Sequence, residues 1–145
     1  MTPLTRRRSD NEHQESWHIY SGDVRVGFIR MRAGVPISAD QWSWAVGFYP
    51  GLDPGQHCSG SAASFDDARA AFERAWPQLE PRLSEAQFEL WRRDRDFHAW
   101  KQRMQAAGLR IPTQIANDQS TCFCGTPITF AIEVHIYTAH RGIGA

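Results

Sequence analysis

Residues Trp42–Tyr49 read WSWAVGFY, and Ser64–Trp76 read SFDDARAAFERAW. The change of period between these two stretches decides the fold class. In the first, Trp42, Trp44, Val46 and Phe48 fall on one side of an extended chain. Ser43, Ala45, Gly47 and Tyr49 fall on the other, because successive strand residues point to opposite faces. In the second, Phe65, Ala68, Phe72, Ala75 and Trp76 recur at the spacing of a helix face. Ser64 offers an N-cap oxygen, with Asp67 three residues on in the position of a capping box. Asp66 and Asp67 also suit the positive end of a helix dipole. A half-buried strand running into a capped helix predicts an α+β domain.

Upstream, Trp17–Tyr20, then Ser21-Gly22-Asp23, then Val24–Met31 read as strand, tight turn and strand. Val24, Val26 and Phe28 alternate with Arg25, Gly27 and Ile29, which puts Phe28 on the side of the valines. Gly34 and Pro36 mark a loop, the turn residues from Pro50 to Gly55 break the WSWAVGFY strand, and His57–Ala62 is expected as a short strand. Downstream, Pro77 and Pro81 are expected to end or kink the first helix. Ser84 with Gln87 starts a second helix from Glu85 to about Ala107, with Phe88, Trp91, Phe97, Trp100 and Met104 as its apolar positions and Gly108 as its stop. The expected architecture is an antiparallel meander of three to four strands covered by two helices. Residues 1–15 are polar and aperiodic and are expected to form a disordered tail. Residues 16–108 would be the α+β domain, 109–120 a linker, and 121–145 a Cys/His segment packing on the domain.

The 145 residues are 41% hydrophobic and 22% charged, with six Trp and eight Phe. Such a chain can build one aromatic-rich core. No apolar run approaches the roughly 20 residues of a membrane helix, and no apolar segment follows Arg6, Arg7 and Arg8 as it would in a secretory signal, so no membrane partner and cytoplasmic residence are expected. A formal net charge of zero argues against binding nucleic acid by broad phosphate neutralisation, although local patches remain open. Three cysteines are an odd count, which favours free thiols or metal ligation over a disulfide framework.

The C-terminal stretch Thr121–His140, TCFCGTPITFAIEVHIYTAH, holds the candidate site. Cys122, Cys124, His135 and His140 are the thiolate and imidazole donors that tetrahedral zinc takes. Gly125 lets the backbone turn so that amide N–H groups face thiolate sulfur, and the His-x4-His gap is that of finger-type sites. The single residue between the cysteines is shorter than usual. The segment between the cysteines and histidines leaves two readings open. As a strand it puts Ile128, Phe130, Ile132, Val134 and Ile136 on one face and carries His135 to the other. As a helix it aligns Ile128, Ile132, His135 and Ala139 and lets His135 and His140 approach one ion. Cys58 beside His57 reads as a small buried hydrophobe. On the long helix, Arg92, Arg93, Arg95 and Lys101 are candidate contacts for a nucleic acid or another partner, with Asp94 and Asp96 halving their field and local ion pairs as the competing reading. His98 lacks any visible catalytic partner, and no phosphate-binding loop is present. The thin face of Ser43, Ala45, Gly47 and Tyr49 invites a partner sheet or a nucleic acid.

Residues 42–76, a strand leading through FYPG and a Gly- and Ser-containing turn into the acidic, alanine-rich helix, resemble the HicB-like antitoxin domains. That resemblance implies an antitoxin-like protein that blocks a toxin and touches DNA through Arg6–Arg8 or a dimer. The chain departs from it in the long second helix and the Cys/His tail. Taken whole, the chain is similar to uncharacterised small alphaproteobacterial proteins. The matching residues are Trp42, Trp44, Gly60, Ala62, Trp91, Arg95, Asp96, Cys122, Cys124 and Gly125. This implies that the Cys/His tail belongs to the domain and implies no activity.

The sequence therefore predicts a small cytoplasmic binding or regulatory module with a structural zinc at Cys122, Cys124, His135 and His140. It would act through a protein or nucleic-acid partner, with dimerisation through an exposed sheet edge as a plausible addition. A small metal- or thiol-dependent enzyme using the same four residues is the alternative.

Overall fold

The structure is a computed structural model that describes residues 3–116 and 119–145. The chain divides into two compact units, the first up to Trp91 and the second Arg92–Ala145. The division falls inside a helix, whereas the sequence suggests a boundary after Gly108.

The first unit is a five-stranded antiparallel meander in the order β1-β2-β3-β4-β5, with β1 Leu4–Arg8, β2 Ser16–Ser21, β3 Val24–Met31, β4 Trp42–Val46 and β5 Cys58–Ala62. It is an α+β fold, as expected, with one strand more than the sequence indicates. The extra strand is β1. Polar Leu4–Arg8 looks like part of a disordered tail because its ordering comes from a partner, β2, against which Arg6 pairs with Ile19 and Arg8 with Trp17. Aromatic faces then hold the arginines: the Arg6 guanidinium lies 4.7 Å from the Trp17 ring centroid and 4.9 Å from that of Phe65. Met1 and Thr2, from the same expected tail, lie outside the described residues.

Helix α1, Phe65–Leu79, covers one face of the sheet. Its start is the one the sequence indicates, since Asp67 N–H donates to Ser64 Oγ at 3.1 Å. Pro77 does not end it. Its missing N–H costs one hydrogen bond in the last turn, and the helix runs on to Leu79 before a 3-10 turn at Glu80–Arg82. Ala68, Phe72 and Trp76 of α1 meet Ile19, Val24, Val26, Ile29, Val46 and Phe48 in the core, with Trp42 and Trp44 at its margin.

One irregularity reverses the expected parity of β3. The register slips between Ile19 and Tyr20, so that Ile19 pairs with Gly27 and Tyr20 with Arg25. The bulge leaves Val26 unpaired and keeps both Val26 and Gly27 on the helix side. Beyond it Ile29, 1% exposed, takes the core face, and Phe28 turns to the other face instead of joining the valines.

Helix α2, Glu85–Ala106, opens in the first unit. Gln87 Oε1 accepts from the Ser84 N–H at 2.8 Å, and its Nε2 donates to the Gly51 carbonyl at 3.2 Å. Phe88 stacks on Phe48. The helix ends as predicted in a Schellman motif: Gly108 takes φ 71°, Leu109 N–H reaches Met104 O, and Gly108 N–H reaches Gln105 O. The expected linker holds a 3-10 turn at Pro112–Gln114, and its Asn117 and Asp118 lie outside the described residues.

The second unit then adds a two-stranded hairpin, β6 Ser120–Thr121 with β7 Pro127–Ile128, and helix α3, Ile132–Ala139. The longer strand that the β-branched residues suggest after Pro127 is not formed. Ile132 and Ile136, one helical turn apart, are buried, while Phe130 and Val134, which a strand would bury beside them, are 58% and 66% exposed. Cys58 is exposed at the end of edge strand β5, not buried. Among the described residues no helix is long and apolar enough to cross a membrane.

At Gly27 the Phe72 ring of α1 comes close to the sheet backbone. A Cβ there would meet the Ala45 carbonyl oxygen and lie 2.5 Å from Phe72 Cε2, whereas a Cβ at Gly55 would meet nothing within 4 Å. Gly27→Ala is therefore expected to cost about 1–3 kcal/mol or more, and Gly55→Ala to stay within about 0.5 kcal/mol of the parent. Urea denaturation of both variants checks this, and equal midpoints would contradict the packing.

Candidate metal centre

The hairpin builds half of the site. Cys122 follows β6 and its N–H donates to the Thr126 carbonyl at 2.9 Å, while Gly125 N–H donates back to the Cys122 carbonyl at 2.8 Å. The resulting tight turn carries Gly125 at φ 92°, a conformation that glycine adopts without strain. Of the two thiols, Cys122 is buried at 1% exposure and Cys124 is exposed.

Helix α3 builds the other half. Ile132 and Ile136 dock it on Trp100, Met104, Cys122 and Ile128. With that face fixed, His135 projects from the helix, and His140 follows from its C-cap, where its N–H donates to the Ile136 carbonyl at 2.9 Å. Cys122 Sγ lies 3.4 Å from His140 Nε2, and Cys124 Sγ 3.5 Å from His135 Nε2. All four donor atoms lie within 4.8 Å of one another, a Cys/Cys/His/His group that can hold a metal ion. From Ile132 to Ala139 the chain thus takes the helical alternative, with Ile128 left in β7, and this brings both histidines to the cysteines.

The surroundings favour thiolate and fixed rings. Hydrogen bonds from Thr126, from its hydroxyl first and its backbone next, push the Cys124 thiol down from 9.0 to about 5. Partial desolvation opposes them, and His140 and Cys122 add to the lowering. The Trp100 indole N–H donates to Cys122 Sγ at 3.3 Å inside the core. Phe123 flanks His140 with ring centroids 4.8 Å apart and carries the Arg103 guanidinium 4.5 Å from its own centroid.

Two groups outside the four donors were not legible as site residues. Trp100 reads as plain core in the sequence, and only its spacing on α2 hints that it is buried. Asp96 reads as one member of a solvated charge run, yet it is 5% exposed. Its Oδ2 accepts from Gly142 N–H at 2.8 Å, and its Oδ1 accepts from Gly144 N–H at 3.1 Å and from Arg95 Nε at 3.1 Å. The carboxylate thereby clamps the chain just after His140.

The basic residues of α2 have separate engagements. Arg95 is withdrawn into the pair with Asp96, its side chain 13% exposed. Arg93 lies over the Tyr137 ring at 4.5 Å, Lys101 lies 5.4 Å from the Phe97 centroid, and Arg92 is half-buried. Arg95 is therefore not part of an open basic face. His98 is exposed and pairs with Asp94 at 3.4 Å. Cys58 is not among the four clustered donors. No family model, curated protein or solved structure matches the chain.

Two substitutions separate the roles around the donors. Trp100→Phe keeps an aromatic ring in the core and removes the N–H to sulfur, so metal affinity is expected to fall by about 10–100-fold with the fold retained. Asp96→Ala frees the two tail amides and strands Arg95, so the metal-loaded unit is expected to lose about 3–5 kcal/mol. Competition with a chromogenic chelator reads the first and thermal denaturation the second. A Trp100→Phe protein with parental affinity would show that the indole only fills space.

Proposed function

We propose that the chain is a small cytoplasmic binding or regulatory module whose C-terminal segment is held by one structural zinc ion, bound by Cys122, Cys124, His135 and His140. The observation that carries the reading is the donor spacing. With Zn–S of about 2.3 Å and Zn–N of about 2.0–2.1 Å, a tetrahedral ion sets its sulfur and nitrogen ligands about 3.6 Å apart. The two closest sulfur–nitrogen pairs stand at 3.4 and 3.5 Å. Two thiolates with two imidazoles suit zinc and are poor ligands for magnesium or calcium.

A structural role is favoured over a catalytic one because four protein donors would complete the four-coordinate shell zinc takes in structural sites, leaving no position for water or substrate. The order of elements supports the same view, since a turn supplies both cysteines and a helix both histidines, as in finger-type sites. Zinc would supply a charged centre that the thiolates neutralise and four bonds that cross-link hairpin to helix. This chain's own residues do the rest. The Trp100 indole N–H donates to the Cys122 sulfur, hydrogen bonds from Thr126 favour the Cys124 thiolate, and Asp96 fixes the backbone beyond His140.

Metal analysis of the untagged protein tests this. The expected result is one zinc per chain, with EDTA lowering the melting temperature by tens of degrees, because structural zinc in small domains is worth about 10–16 kcal/mol. Cys122→Ser and His140→Ala are expected to reproduce the effect of EDTA without added chelator. A metal-free protein whose melting is indifferent to EDTA would sink the reading.

A further inference from the structure

The second face of the five-stranded sheet, opposite α1, has a composition of its own. Register places Arg7, His18 and Phe28 in one row across β1, β2 and β3. Tyr20 and Arg25 stand paired in the neighbouring row on one side, and Arg30 lies in the row on the other. The remaining strand positions of this face are serine, threonine and alanine, with no carboxylate. The acidic residues of α1, Asp66, Asp67 and Glu73, lie on the far side of the sheet. The strongest helix contacts of the sheet are those of α1 with β4, β5 and β3, on the opposite face.

Three ring side chains and three guanidinium groups are thus gathered on a flat, thin surface. Phe28 stands there because of the bulge in β3, which would otherwise bury it with the valines. His18 and Phe28 are directly opposite, about 5 Å apart, and Tyr20 stands two residues along β2, about 7 Å away. Burial and then the Arg25 charge push His18 below its ordinary value, so it is a neutral ring at pH 7. The Arg30 guanidinium lies 4.0 Å from the Phe28 centroid and the Arg7 guanidinium 4.4 Å from that of Tyr20. These exposed arginines keep outward donors and can pass from ring to phosphate.

We propose that this face binds single-stranded nucleic acid, with Phe28 and Tyr20 stacking bases and Arg7, Arg25 and Arg30 meeting phosphates. The chemistry that selects it is the pairing of π-faces with positive charge; the Asp40 carboxylate, which accepts from Ser61 Oγ at 2.8 Å, meets this face at its β5 edge, two strands from Phe28. The branched aliphatic side chains of the sheet, Ile19, Val24, Val26, Ile29 and Val46, are on the other face in the core. A single strand fits because a duplex hides its base faces from a sheet. The zero net charge of the chain is compatible, because only this local patch need be basic. The proposal rests on reading the chain as a binding module and is independent of the metal, which belongs to the other unit.

Fluorescence anisotropy of the full zinc-loaded chain decides it. The probes are labelled 12-nucleotide oligouridylate, oligothymidylate and a duplex of equal length, titrated between 20 and 200 mM salt. The expected result is binding of single strands with a log–log salt slope of about −2, three contacts at about −0.7 each. The tighter of the uridylate and thymidylate arms says whether RNA or DNA is the natural form. Phe28→Leu, which keeps apolar bulk on β3, is expected to weaken binding about 5- to 150-fold. Arg30→Gln is expected to reduce the slope by about 0.7, and Arg74→Gln on α1 to change neither. No binding at the lowest salt overturns the proposal and leaves the face to a protein partner. Duplex bound as tightly as single strand, or Phe28→Leu binding like the parent, overturns it equally. Zinc measured on the same preparations keeps the two readings separable, since metal without binding sinks this one alone and binding without metal sinks only the zinc site.

Discussion

The second unit is organised by the burial of one sulfur. Cys122 is 1% exposed, and its Sγ accepts from the Trp100 indole while facing His140 Nε2. Around it, among the described residues, the hydrophobic cluster has six buried members, Trp100, Met104, Cys122, Ile128, Ile132 and Ile136. A segment with so few buried side chains gains little from hydrophobic burial against the entropy of ordering its turns, so small units of this kind need a cross-link or a metal. The placement of Cys122 would make a metal held there and the core parts of one structure. The residue that offers a sulfur donor is also one of the buried members of that cluster. Disturbing either one disturbs the hairpin, α3 and the last turn of α2 together.

The first unit was legible in its regular parts. The alternation of Trp42, Trp44 and Val46 and the cap at Ser64 are local signals, and local signals survive folding. Two features escaped because they depend on a partner. Leu4–Arg8 has no apolar period of its own, and its order comes from pairing with β2 and from arginine lying over Trp17, Phe65 and Tyr20. The bulge opposite Ile19 is one extra residue, and one residue inverts every side chain beyond it. Nothing in VRVGFIRM announces that inversion apart from Gly27, whose missing side chain admits Phe72.

In the candidate site, the four donors were legible and their arrangement was not. A spacing of four residues between Ile128, Ile132 and Ile136 satisfies both a strand face and a helix face, so periodicity alone could not choose between them. Propensity pointed to the strand, since the run is rich in β-branched residues. Tertiary packing decided otherwise: Cys122, Trp100 and Met104 present a surface that one turn-spaced pair of isoleucines fills, and Phe130 and Val134 stay outside. Bringing His135 and His140 next to the thiols requires the same choice.

Asp96 shows why such a site cannot be read from its ligands alone. A buried carboxylate is costly unless its acceptor capacity is met, and here two backbone amides and one guanidinium nitrogen meet it. Those amides belong to Gly142 and Gly144, and both must be glycine for the clamp to close. Gly142 sits at φ 85°, and a Cβ on Gly144 would lie 2.8 Å from Arg95 Cγ. The sequence RGIGA thus makes sense as the counterpart of Asp96, more than forty positions away in the chain. The clamp begins two residues after His140, so it removes the freedom that would otherwise let the last donor swing away from the thiols. An anion in the middle of α2, a pair of glycines at Gly142 and Gly144 and an imidazole between them in sequence form one mechanical connection, in which the carboxylate positions a candidate donor it does not touch.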